Sequence, residues 1–165
     1  MTKTRYEVLR YYPVTSPDEL IGLNNKTLLE WWLSFAPNIP FKSDFDILDH
    51  IDLVSDIFLV KRLSDTDYEF RVHGESAHNI FDDNIGKTIS TNGPETTEKE
   101  REDVRLARYY TEFLKQSHCF RNEGNLPFLK KEHIRFESLD CPLLDEDKNP
   151  IYIIGTIAIL NDKNH

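Results

Sequence analysis

Two short stretches of the chain hold residue types that can do chemistry. In RVHGESAHNI, His73, Glu75 and His78 are imidazole and carboxylate groups of the kind that bind zinc or iron. Their spacing is not that of a helical ligand pair. Gly74 also falls where a strand should end, so the side chains need not converge, and loop hydrogen bonding is the simpler role. His118 and Cys119, just after a long helical segment, have the residue types of a haem or redox position, and a partly buried structural pair is the plainer reading. Gly86-Lys87-Thr88 looks like the end of a phosphate-binding loop. That loop needs a glycine five positions before Gly86, and Phe81 stands there. A turn glycine after a short helix is what remains. Cys119 and Cys141 lack a CxxC partner or a histidine-rich metal spacing, so free thiols are expected, with a structural disulfide as the alternative. The chain has no G-x-S-x-G, HExxH or glycine-rich dinucleotide fingerprint. Its many carboxylates show no marked pair, so no catalytic residue is assigned.

The elements that must position these groups follow from pattern and punctuation. Ser16-Pro17-Asp18-Glu19 carries a capping serine, proline at the first helical position and a returning glutamate, which predicts a helix start. A second helix is expected through KTLLEWWLSFA, ended by Pro37 and Pro40, with Leu28, Leu29, Trp32 and Phe35 on one stripe. Ser43 should cap a third, SDFDILDHIDLV, burying Phe45, Leu48, Ile51 and Leu53. IFLVKRL and YEFRVHG around SDTD read as a β-hairpin. Short helical turns are expected over 75–90, then a long helix over about 95–116 with Leu106, Ala107, Tyr110, Phe113 and Leu114 in a stripe. Three strands close the chain, HCFRNEG, KKEHIRFESL and PIYIIGTIAIL. The last is apolar on both alternating sets, which predicts a central strand covered on both faces.

Composition narrows the function classes. With 165 residues, 39% of them hydrophobic and 12% aromatic, the chain can build one real core. A net charge of -9 opposes nucleic acid and anionic membrane surfaces, because affinity for both comes from Lys and Arg. No apolar run approaches the ~20 residues of a membrane span. The start, MTKTRYEVLRYYPV, lacks the apolar segment of a secretion signal, so a cytoplasmic location is expected.

The order of two strands, short helical turns, one long helix and three strands resembles a PAS domain. Particular residues resemble a family of short, stand-alone bacterial PAS-like proteins: Trp31 or Trp32, Ile39-Pro40 and Ser43-Asp44-Phe45-Asp46, then Phe70-Arg71-Val72-His73-Gly74 followed by Asp83-Asn84-Ile85-Gly86-Lys87. Farther on, Glu137-Ser138-Leu139-Asp140-Cys141-Pro142-Leu143 fits the same pattern, and the likeness spans about residues 27–160. Lys42, Ile47 and Asn149 depart from it, standing where arginine, proline and glycine are usual.

The resemblance implies an α+β fold with a five-stranded antiparallel sheet, ordered 2-1-5-4-3. It would have helices on one face, and the N-terminal helices are the candidates for the other. Residues 1–54 would be an N-terminal helical extension and residues 55–162 the PAS-like domain. It implies a sensory or regulatory role without catalysis, with a possible small apolar ligand and a possible homodimer or signalling-protein partner. The implied pocket is lined by Phe81, Ile85, Tyr110, Phe113 and Leu114, and the plainer reading is that these residues simply fill the core. Trp31 and Trp32 form the expected partner surface, or else cover the sheet. The cofactor is left open: the cysteine of a flavin sensor belongs among the short helices, and residues 95–116 offer no haem histidine. A small metal- or cofactor-dependent enzyme using His73, His78 and His118 is the alternative.

Overall fold

The computed structural model describes residues 7–81, 85–126 and 134–160. Its strands are β1 (Glu7–Val14), β2 (Ile57–Arg62), β3 (Asp67–His73), β4 (Thr88–Ser90), β5 (Cys119–Asn125), β6 (Arg135–Leu144) and β7 (Pro150–Leu160). The helices are α1 (Leu23–Leu33), α2 (Glu75–Phe81) and α3 (Glu98–Leu114). Among the described residues the strands form one antiparallel sheet in the order β1-β5-β6-β7-β2-β3-β4. β7 is therefore central, as its unbroken apolar run requires, pairing with β6 through Ile157 opposite Ser138 and with β2 through Ile154 opposite Leu59.

Each face of β7 feeds a separate core. Ile153 and Ile157 join Phe58, Val60, Phe70, Phe120 and Phe136 beneath Ala107, Tyr110, Phe113 and Leu114 of α3. Ile154 joins Leu139, Cys141 and Leu143 beneath Leu28, Leu29 and Trp32 of α1. α3 starts with a capping box in which Thr97 and Glu100 satisfy each other's backbone amides. Its acidic first turn complements the helix dipole.

The structure departs from the sequence expectations at four places. The sheet has seven strands and not five, and its order differs from the expected 2-1-5-4-3, because β1 and β4 add to its two edges. Residues 1–54 are not purely helical: Glu7–Val14 is a strand on β5, with a bulge between Val8 and Arg10. Ser16 does cap as expected, but the turn it starts is one 3-10 turn, Pro17–Glu19, and α1 begins at Leu23 with Gly22 as its cap residue. The segment after Ser43 is not one helix but three 3-10 turns, Lys42–Asp44, Ile47–Asp49 and Ile51–Leu53. Asp44 accepts from the Phe41 amide at 2.8 Å and Asp46 from the Leu48 amide at 2.9 Å, so local side-chain bonds restart the chain before a helix can propagate. Leu53 is buried as expected, whereas Leu48 and Ile51 are 74% and 68% exposed.

Candidate functional site

Among the described residues, His73, His78 and His118 do not assemble a metal centre. His73 ends β3 with its ring 5.1 Å from that of Phe70, His78 is exposed on α2, and His118 is exposed in the turn before β5. Among the described residues no three His, Cys, Asp or Glu side chains lie together in a way that suits a metal ion. Gly86 sits at a φ of 80°, a left-handed turn conformation that favours glycine, and its amide donates to the Phe70 carbonyl at 2.8 Å.

Of the residues expected to line a pocket beneath α3, three are buried in the core there. Tyr110, Phe113 and Leu114 are each at most 4% exposed. Phe113 meets Phe120 edge to face at 5.7 Å, and Tyr110 lies 5.5 Å from the Tyr68 ring, so both take part in aromatic packing. Ile85 is half exposed. Phe81 is the last residue of α2, and its side chain lies outside the described residues. The two tryptophans divide: Trp32 is buried and donates its indole N–H to the Pro142 carbonyl at 2.9 Å, which removes it from any partner surface. Trp31 is half-buried, edge-on to Phe35 and Phe45.

An open cleft lies on the opposite face of the sheet. Its volume is about 470 Å³. α1 covers β6 and β7, leaving the inner ends of β2 and β3 beside it, and Ile57, Leu59, Val72, Leu143 and Ile154 form an apolar floor there. Lys42, Ser43, Phe45, Asp46 and Ile47 form the wall. The wall stands where it does because the 3-10 turns hold it beside Trp31, with Phe45 stacked on His50 at 5.0 Å. Ile47, Leu48, Ile51, Val54 and Val72 are exposed aliphatic side chains of the wall segment and the floor.

A buried ionic network fixes the start of α1 against the sheet. α1 has no side-chain cap of its own. Glu137 of β6 supplies one from across the interface, accepting from the Gly22 amide at 2.7 Å and the Ile21 amide at 2.9 Å. The same carboxylate accepts from Arg121 at 2.6 Å and from Asn25 at 2.9 Å. Arg121 also pairs with Glu123 and donates to the Tyr12 hydroxyl at 2.7 Å, and Glu123 reaches Arg10 of β1. The Glu137 carboxylate is thus fully hydrogen-bonded despite its burial, and it faces the helix N-terminus that it caps.

On the α3 face, Asp140 is buried and accepts from the Tyr109 hydroxyl at 2.6 Å and from Asn122 at 3.0 Å. Burial pushes its pKa up to about 7, against the opposing pull of those two bonds. Burial, then the neighbouring Asp140 charge, pushes the Tyr109 hydroxyl well above its ordinary value.

Sequence reasoning missed the cleft floor of Leu59 and Val72, and also the network. One signal for the network was present: Arg121, Glu123 and Glu137 are charged residues at alternate positions within predicted strands, where each points to the same sheet face as its neighbour two residues on. No known protein-family profile matches the chain, and no curated protein matches it.

Proposed function

We propose that this chain is a non-catalytic, PAS-like regulatory module that binds an apolar segment of a signalling partner in the cleft beside α1. The strand order supports the PAS-like part. Numbered among themselves, the inner five strands β3-β2-β7-β6-β5 run 2-1-5-4-3, with α2 and α3 inserted between the second and third in sequence. β1 and β4 are then additions at the two edges.

The observation that carries the binding reading is the cleft. Its floor is sheet surface of the type that α1 covers elsewhere, and the exposed aliphatics of residues 47–54 adjoin it. Contiguous exposed apolar surface next to a groove marks an interaction site more often than a monomer's free face. The aromatic core beneath α3, by contrast, leaves Tyr110 and Phe113 as packing residues. A small apolar ligand or a second copy of the chain would use the same cleft.

Native mass spectrometry of gently purified protein tests this, since it reports bound mass and subunit number together. Wild-type protein should carry an added mass, and Val72→Lys should lose it while keeping its fold. A bare monomer for both proteins refutes the reading. Visible absorbance or bound metal would instead favour an enzyme built on the histidines.

A further inference from the structure

We propose that Cys119 and Cys141 are a cross-strand oxidation site that closes to an intramolecular disulfide within the intact sheet. Phe120 pairs with Asp140 across β5 and β6, so the antiparallel register sets Cys119 directly opposite Cys141. Both side chains point to the α1 face, both are fully buried, and their sulfurs are 3.0 Å apart. Opposed residues in an antiparallel pair have Cα atoms ~4.5–5.5 Å apart, inside the ~4.4–6.8 Å range that a disulfide spans. Closure therefore needs a small side-chain adjustment and no change of strand pairing.

The co-reactant is a small-molecule disulfide such as oxidised glutathione. One cysteine, as its thiolate, attacks a sulfur of that disulfide, forming a mixed disulfide and releasing one glutathione. The second cysteine then attacks the protein sulfur of the mixed disulfide and expels the second glutathione. Two protein thiols have lost two protons and two electrons, and one oxidised glutathione has taken them up to become two reduced molecules.

The surroundings set when this happens. Val14 of β1 lies opposite Cys119 on its other side, and Trp32 of α1 bonds to the carbonyl of Pro142, the residue after Cys141. Burial pushes the Cys141 thiol well above its ordinary value of 9.0, so the closed structure holds this thiol unreactive. Oxidation therefore requires a transient local opening that exposes the sulfurs, and the disulfide then holds β5 to β6.

The test equilibrates the purified chain in glutathione redox buffers, once in native conditions and once in concentrated guanidinium chloride. Mass spectrometry should show a native monomer lighter by two hydrogens, with Cys119 and Cys141 in one linked peptide pair. Cys119→Ser should yield only a glutathione adduct at Cys141. The apparent equilibrium constant for closure should be about a hundredfold larger in the native chain than in the denatured one. The proposal is overturned by disulfide-linked dimers, by two intact thiols, by glutathione adducts alone on the wild-type chain, or by equal closure in native and denatured protein. Each of these readouts is independent of whether the cleft binds a partner.

Discussion

Replacing Asp140 by asparagine should make the protein more stable at pH 8 and leave it nearly unchanged at pH 4. The carboxyl is held at about 7 in the folded state, against an ordinary value of 3.8, because burial disfavours its charge. The folded protein therefore holds this proton more tightly than the unfolded chain does. Below pH 4 both states carry the proton, and the group leaves stability unaffected. Between pH 4 and 7 the unfolded chain releases it first, so stability falls as pH rises, and above pH 7 the loss is complete. A shift of about three units at ~1.4 kcal/mol each makes that loss about 4 kcal/mol. The asparagine side chain keeps an oxygen that can accept from Tyr109 and carries no charge at any pH. The stability of Asp140→Asn minus that of wild type should therefore climb by about 4 kcal/mol from pH 4 to pH 8, while the titrations of other groups cancel in the difference. Urea unfolding followed by the fluorescence of Trp31 and Trp32 measures it. A difference that changes by less than ~1 kcal/mol across that range, or that falls with pH, refutes the reasoning.

Three further outcomes follow from the packing. Glu137→Ala strips α1 of its cap and leaves Arg121 buried without this partner, so the protein should lose about 3–5 kcal/mol in chemical denaturation at neutral pH; a loss below ~1 kcal/mol would count against the network. Gly155→Ala places a Cβ 2.2 Å from Phe58 Cζ and 2.5 Å from the Leu139 carbonyl oxygen, which should cost ~1–3 kcal/mol or more, partly recovered by Phe58→Leu in the same chain. Phe113→Ala should cost about 3–5 kcal/mol in thermal or urea unfolding, while Ile85→Ala, at a half-exposed position, should stay within ~0.5 kcal/mol. Equal effects at the two positions would mean that Phe113 lines a cavity and does not fill a core.

The elements legible in the sequence are those with a long, unambiguous local period. Pro150–Leu160 is apolar on both alternating sets and became the central strand, and the stripe of Ala107, Tyr110, Phe113 and Leu114 became the buried face of α3. The hairpin of β2 and β3 was marked by its polar turn. Glu7–Val14 was illegible because it is an edge strand whose Arg10 and Tyr12 meet charged partners, so alternation never separates an apolar face from a polar one. Thr88–Ser90 is three residues long and exists through its pairing with β3.

By itself the amino-acid order determined the long helix, the β2–β3 hairpin, the doubly covered final strand and the absence of a nucleotide-loop glycine at position 81, since each depends on neighbours a few residues apart. Tertiary structure alone decided that Trp32 faces the core, that Glu137 caps a helix 115 residues away in sequence, that Cys119 and Cys141 meet, and that an open cleft lies beside α1. The physical reason is that strand register and helix docking bring together residues whose sequence separation carries no period, and only the closed sheet gives those pairs a common address.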